Sequence, residues 1–122
     1  MAGNKRVGGI ISFKVDGDMY FAKGDFTYNL GKPKREGVVG SDRVHGYKET
    51  PQIPFIEGEI TDRNEMSLET LLGIKDATIT LELANDKVIV LREGWYASEG
   101  TVNTGEGNVP ARFEGMSAEE VR

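Results

Sequence analysis

The chain has 122 residues, a length suited to one domain that can bury a core without covalent cross-links. It contains no cysteine, which excludes disulfides, thiolate nucleophiles and cysteine-based metal sites. The net charge of −5 argues against a classical nucleic-acid-binding protein, and no apolar run approaches the roughly 20 residues of a membrane helix.

Charge is distributed unevenly along the chain. Residues 1–50 hold nine Lys/Arg and six Asp/Glu, whereas residues 51–122 hold six Lys/Arg and fourteen Asp/Glu. Two explanations stay open at this point: two surfaces with different solvation, or electrostatic complementarity between copies of the chain. The basic N-terminus, MAGNKRVGG, has no apolar segment after it, so we expect no secretory signal and a protein made in the cytosol.

Short strands dominate the first part of the chain. Apolar residues in 9–15 and 18–24 flank Asp16-Gly17, a dipeptide typical of tight hairpin turns. We expect a further strand over 25–30. Residues 31–52 then show neither helical nor strand periodicity, and loops of this length in compact domains are usually functional, disordered or ordered by a partner.

The next strand is predicted over 52–61, with two faces of different character. Ile53, Phe55, Glu57 and Glu59 share one face, and Ile56 and Ile60 lie on the other.

One short helix is predicted over SLETLL. Ser67 is the expected N-cap, Gly73 the expected stop, and Met66 and Leu71 occupy the positions of a hydrophobic staple. The remaining predicted elements are strands over 76–84, 87–102 (with a bend or bulge at Gly94) and 109–115, and a polar tail over 116–122. These patterns predict a single, mainly β domain over 1–122: an antiparallel β-sandwich or barrel with one short flanking α-helix.

No pattern in the sequence favours catalysis or metal binding. His45 is the only histidine, and it lies within the glycine-rich stretch. Glu57 and Glu59 share a strand face and could imitate a glycosidase pair, but solvated strand faces carry such pairs routinely. We therefore expect no enzyme activity, no catalytic or metal-ligating residues and no cofactor. A ligand-binding β-module is an alternative, although its aromatic residues should cluster on one face and here they are scattered.

Three stretches of the chain resemble a known family. They are REGVVGSDRVHGYKETPQIPFIEGEIT (35–61), SLETLLGI (67–74) and LELANDKVIVLREGWYASEGTVNTGEGNVPARFEG (81–115). Together they are similar to the tail tube proteins of Mu-like contractile-tailed phages, which are related to the tube subunits of type VI secretion and of contractile bacteriocins. The tube subunit of a secretion device, or of a contractile bacteriocin, which delivers no DNA, stays an alternative.

The resemblance implies a structural virion protein. Six copies would form a ring, and rings would stack into the inner tube of a contractile tail, through which DNA passes without specific binding. The implied partners are the chain itself and the sheath, baseplate and tape-measure proteins, with no stable membrane association. The implied location is the virion tail, after assembly in the host cytoplasm.

Two groups of residues follow as candidates. The resemblance implies that the 31–52 segment is a long hairpin-like loop that reaches the adjacent ring, and its contact residues would be Lys32, Lys34, Arg35, Arg43, His45 and Tyr47. A negatively charged channel repels phosphates, so acidic residues on polar strand faces are candidates for the lumen. These are Asp16, Asp18, Glu57, Glu59 and Glu82, although the sequence does not tell which sheet faces inward.

Overall fold

The computed structural model describes residues 10–62, 67–102 and 104–121, and within them ten strands and one helix. The staple residue Met66 lies outside the described residues. The elements in chain order are β1 (Ile10–Val15), β2 (Asp18–Tyr20), β3 (Ala22–Asn29), β4 (Lys34–Val39), β5 (Val44–Thr50), β6 (Phe55–Thr61), α1 (Leu68–Leu72), β7 (Ala77–Leu83), β8 (Val88–Tyr96), β9 (Asn108–Glu114) and β10 (Ser117–Val121).

Eight strands form one antiparallel sheet that folds into two layers. Seven follow the order β2-β1-β7-β8-β9-β6-β3, and β10 pairs with β8. Strand β8 joins the layers: its first half lies between β7 and β10, whereas Trp95 and Tyr96 at its end pair with β9. A register shift opposite 92–93 and a positive φ of 52° at Glu93 mark a bulge there, one residue before Gly94. The predicted antiparallel sandwich is therefore confirmed.

The core lies between the two layers and is built by strict alternation along the strands. In β6, Ile56 and Ile60 are buried whereas Glu57 and Glu59 are exposed, as the sequence predicts. The Phe13 ring lies 5.0 Å from Phe26 and 5.8 Å from Phe113, centroid to centroid, so aromatic contacts join the layers. The largest fully buried side chains are those of Phe13, Phe113, Ile56, Ile60, Leu71, Ile79, Leu81, Ile89, Leu91 and Val109.

The short helix begins and ends where the sequence predicts. The Ser67 hydroxyl accepts a hydrogen bond from the Thr70 amide at 3.2 Å, and Gly73 closes the C-terminus. At fewer than two turns the helix cannot persist by itself. The fully buried Leu71 anchors it to the core.

The strands between residues 18 and 30 differ from the prediction. Strand β2 is only three residues long, and β3 runs without interruption through Gly24, where a separate strand was expected to begin one residue later. The chain leaves one layer for the other at Phe21, whose carbonyl accepts a hydrogen bond from the Thr61 amide at 2.7 Å. A register shift between Lys23 and Thr27 absorbs the positive φ of 73° at Gly24.

Two segments without strand periodicity nevertheless form strands. Within 31–52, β4 and β5 pair with each other as a two-stranded hairpin outside the main sheet. Every residue of both strands is exposed, so neither strand needs the alternating apolar pattern that marks a strand packed on a core. In the expected polar tail, β10 pairs with β8 and buries only Ala118, which is too little for an alternating pattern.

Candidate functional site

The β4–β5 hairpin, residues 34–50, is attached to the sandwich by a fixed base. The Gly31 amide donates to Asn29 Oδ1 at 2.7 Å, and Gln52 Nε2 donates to the Lys32 carbonyl at 2.9 Å. Pro54 is buried directly against Gly31: a Cβ added there would lie 2.7 Å from Pro54 Cδ. With a φ of 78°, this position suits glycine on both counts. The base therefore sets the direction in which the hairpin leaves the body.

One face of the hairpin is largely apolar. The Arg35 guanidinium lies 5.5 Å from the centre of the Tyr47 ring and bonds Glu49 at 3.0 Å, which places these side chains on the same face. By alternation and pairing, Val39 and Val44 continue this face toward the tip. The exposed fractions are 71% for Val39, 68% for Val44 and 62% for Tyr47. We call these three residues the apolar face of the hairpin.

The opposite face of the hairpin carries charge. Lys34, Glu36 and Lys48 share it, with Glu36 paired in register to Lys48. Residues 31–52 together contain five Lys/Arg and three Asp/Glu, so the segment is positive within an acidic chain. One side of the hairpin thus suits solvent, whereas the apolar face leaves large hydrophobic side chains in water.

The tip of the hairpin is a turn over 40–43 followed by a bulge. The Gly40 amide donates to the Arg43 carbonyl at 2.8 Å, and the register slips between Val38 and Val39. The His45 ring covers Gly40, where an added Cβ would lie 2.4 Å from Nε2. His45 Nε2 lies 4.0 Å from Asp42 Oδ1. Gly40 therefore lets the imidazole close over the turn.

The structure places all six predicted inter-ring residues in or beside this hairpin, and all six are exposed. Lys34 and Arg35 lie on β4, His45 and Tyr47 on β5. Arg43 lies in the tip turn, and Lys32 lies at the base. Sequence reasoning missed Val39 and Val44, the most exposed apolar residues of the hairpin. Each valine lies two residues from a glycine, Val39 after Gly37 and Val44 before Gly46, and this spacing was the available signal in the sequence.

The predicted acidic residues do not form one cluster within the subunit. Glu57 and Glu59 lie together on the outer face of β6, whereas Glu82 lies on β7 in the other layer. Asp16 and Asp18 flank the β1–β2 turn. Any lining built from all five would need several copies of the chain.

Most of these acids have partners in the subunit. Glu59 accepts from Asn108 Nδ2 at 3.1 Å, and Glu82 accepts from the Ser12 hydroxyl at 2.9 Å. Asp16 Oδ1 accepts from the Thr78 amide at 2.8 Å and so ties the β1–β2 turn to β7. These carboxylates have structural contacts whatever else they face.

Arg112 is a charge partner that the sequence reasoning did not single out. Its guanidinium bonds Glu57 and Glu114, each at 3.0 Å, and lies 4.1 Å from the centre of the Phe55 ring. The alternation of VPARFE, which puts Val, Ala and Phe inside, was the signal that Arg112 faces outward beside Glu57. Of the two carboxylates that could imitate a glycosidase pair, Glu57 is therefore ion-paired to Arg112, whereas Glu59 accepts a hydrogen bond from Asn108.

The described residues offer little else for ligand chemistry. Among them, no group of three or more His, Asp or Glu side chains is arranged to hold a metal ion. No helix within the described residues has both the length and the apolar character of a transmembrane segment.

The fold and its surfaces favour self-association before any comparison. A small antiparallel sandwich with strand edges at β2, β3 and β10 and a projecting, exposed hairpin offers surfaces on which other chains can pair. A family model for phage tail tube proteins matches residues 4–120. The chain belongs to this family, which confirms the family predicted from sequence and gives the chain a structural role in the virion tail. A comparison with curated proteins returns no match.

Proposed function

We propose that the chain forms hexameric rings that stack into the inner tube of a contractile phage tail, a conduit through which DNA leaves the virion. The observation that carries this proposal is the hairpin: its apolar face projects into water from a subunit whose core lies elsewhere, in the layers and α1. Isolated two-stranded hairpins are marginally stable in water, so a contact that covers this face would stabilise it.

Ring formation has support in the strand edges. Strands β2 and β3 end the sheet path, and the far edge of β10 pairs with no strand among the described residues. Exposed edges are prone to pair with other chains unless they are covered. Pairing between neighbouring subunits in a closed ring would cover them, and the resemblance to Mu-like tubes supports six copies.

The proposed channel is lined by acidic strand faces. Glu57 and Glu59 are the strongest candidates because they are exposed side by side on one strand. Glu82, Asp16 and Asp18 are candidates on the other layer. Fixed negative charge would repel phosphates and let DNA slide without specific binding. Sheath, baseplate and tape-measure proteins are the further partners proposed, with assembly in the host cytoplasm and no catalysis.

Negative-stain electron microscopy of the concentrated protein, alongside light-scattering mass, tests the proposal. Rings or tubes of uniform diameter are expected, with a mass that rises with concentration. A protein that stays monomeric even when tail baseplates are added as nuclei would refute the tube function.

Deleting residues 36–48 tests the part assigned to the hairpin. All the removed residues but Gly40 are exposed, so circular dichroism should show a folded sandwich with nearly unchanged thermal stability. Tubes should be lost, because the deletion removes the tip with Arg43, His45 and Tyr47, three of the six predicted contact residues, and leaves Lys32, Lys34 and Arg35 without the hairpin that positions them. Long tubes from the deletion variant would show that the hairpin does not join rings.

A further inference from the structure

The hairpin and the loops that carry Asp62 and Glu106 lie at opposite ends of the β3-β6-β9 layer. The hairpin connects the end of β3 to the start of β6, where Asn29 pairs with Phe55. The other end of the layer is where Ala22 pairs with Ile60 and where β9 begins beside Thr61. Strand β6 has seven residues, so about 20 Å separates the two ends.

The end away from the hairpin combines an exposed aromatic ring with two carboxylates. Phe21 has 47% of its surface exposed, and its carbonyl bonds the Thr61 amide. The next residue, Asp62, donates its amide to the Gly107 carbonyl at 2.8 Å, which brings it beside Glu106. Neither carboxylate forms an ion pair with any residue that the structure describes. We call Phe21, Asp62 and Glu106 the distal end.

The tip of the hairpin complements this end in both respects. Val39 and Val44 are large apolar side chains at the tip, and Arg43 in the turn has no acidic partner among the described residues. The tip turn also contains Asp42, whose Oδ1 lies 4.0 Å from His45 Nε2. The tip therefore carries an apolar pair and an Arg43 without an acidic partner, and the distal end carries an exposed aromatic ring and two carboxylates without a cationic partner, among the described residues.

We propose that the hairpin tip of one subunit docks on the distal end of a second copy, with Val39 and Val44 against Phe21 and Arg43 facing Asp62 and Glu106. This inference rests on the proposed tube function and specifies its inter-ring contact. Because donor and acceptor lie at opposite ends of one subunit, the contact is heterologous and repeats head to tail. A heterologous contact repeated along the tube axis without closing into a ring gives an open, polar stack.

The charge component is tested by reversal and restoration. Arg43→Glu alone, and Asp62→Lys with Glu106→Lys, each place like charges across the contact, and each should raise the protein concentration needed for tube assembly about ten-fold or more. Combining all three substitutions restores opposite charges and should recover most of the assembly. Lys75→Glu outside the hairpin and Glu99→Lys away from the distal end are matched controls, expected to assemble as the wild type does.

The apolar component is tested by cross-linking, because the native chain contains no cysteine. Under mild oxidation, assembled mixtures of a Phe21→Cys variant with a Val44→Cys variant should give disulfide-linked dimers. Either variant alone should stay uncross-linked, as should a mixture of Phe21→Cys with Lys48→Cys. Dichroism and thermal melting of each variant as a monomer separate misfolding from failed docking.

The outcomes distinguish this inference from the proposed function beneath it. Wild-type tubes together with normal tubes from the Asp62→Lys, Glu106→Lys variant would overturn the distal end as the acceptor while leaving the tube function in place. Reversals that fail separately and also fail together would overturn the pairing of Arg43 with these acids. Wild-type protein that forms no tubes even with baseplate nuclei would overturn both.

Discussion

Replacing Gly58 by alanine is predicted to destabilise the subunit through one aromatic contact. Gly58 lies on the inward face of β6, and a Cβ added there would lie 2.3, 2.4 and 2.5 Å from three ring atoms of Phe26. Carbon atoms prefer separations of about 3.5–4.0 Å, so the ring must retreat by about 1 Å or more. Phe13, 5.0 Å away by ring centroid, restrains that movement. Overpacking of this kind typically costs about 1–3 kcal/mol.

The net effect also includes a favourable term. Alanine is favoured over glycine within a strand by roughly 0.5–1 kcal/mol, so the expected net loss is about 1–2 kcal/mol. For a domain of this size the melting temperature should fall by about 4–8 °C. The measurement is thermal and urea unfolding by circular dichroism, at concentrations where light scattering gives a monomer.

Gly37→Ala is the matched control for this substitution. It lies in β4 with ordinary backbone angles, and an added Cβ would meet nothing within 4 Å. It should leave stability unchanged or slightly raised. In a Phe26→Ala background the Gly58→Ala change should cost less by about 1 kcal/mol, since the clash is gone. Equal effects of Gly58→Ala and Gly37→Ala, or strict additivity with Phe26→Ala, would refute the reasoning.

Three further predictions concern the helix cap, the alkaline limit and salt. Ser67→Ala removes the hydroxyl that accepts from the Thr70 amide and should lower stability by about 1 kcal/mol by urea unfolding, whereas Ser67→Asp should retain it. Burial raises the pKa of Tyr96, whose hydroxyl donates to the Pro110 carbonyl. The stabilisation that comes with this raised pKa is complete below the unfolded pKa of about 10 and is lost as pH rises through the folded pKa. Tyr96→Phe should therefore flatten the loss of stability above about pH 10. Raising salt from about 0.05 to 0.5 M should slow tube growth followed by light scattering, because screening weakens exposed charge pairs; salt-independent growth would assign stacking to apolar and strand contacts.

The parts of the fold that sequence predicted well have strong local signals. Asp16 and Gly17 both have positive φ, 50° and 89°, as the turn suggested by Asp-Gly requires. Strand β6 separates buried and exposed residues as its alternation predicts. In both cases the residues that determine the structure are adjacent in the chain.

The misplaced parts depend on contacts distant in sequence. Strand β10 exists because β8 offers a free edge, and its outer face is tied by an Arg92–Glu119 ion pair. The switch between layers at Phe21 depends on Thr61, forty residues further along the chain. The bulge falls at Glu93 rather than at Gly94, whose glycine is needed because Ile79 packs against its backbone. Local composition carries none of this information.

The candidate site was harder to predict because its exposed side chains pack on nothing within the described subunit that a sequence pattern could record. On the body, several charged side chains pair within the subunit: Arg112 bridges Glu57 and Glu114, and Lys87 bonds Glu120 at 3.2 Å. The hairpin differs, since its apolar face covers nothing in its own subunit. Periodicity detects faces that pack on a core of the same chain, and this face has none.

This division between body and hairpin has a consequence for how the two can vary. The sandwich buries its core whether or not the hairpin is present, because all the core residues lie in the layers and in α1. We therefore predict that the stability of one subunit and the affinity between subunits are set by different residues. Substitutions at Val39, Val44 or Arg43 should change tube assembly with little change in unfolding free energy, whereas Gly58→Ala should do the reverse. Finding both properties altered together by a hairpin substitution would show that the arm is energetically coupled to the core.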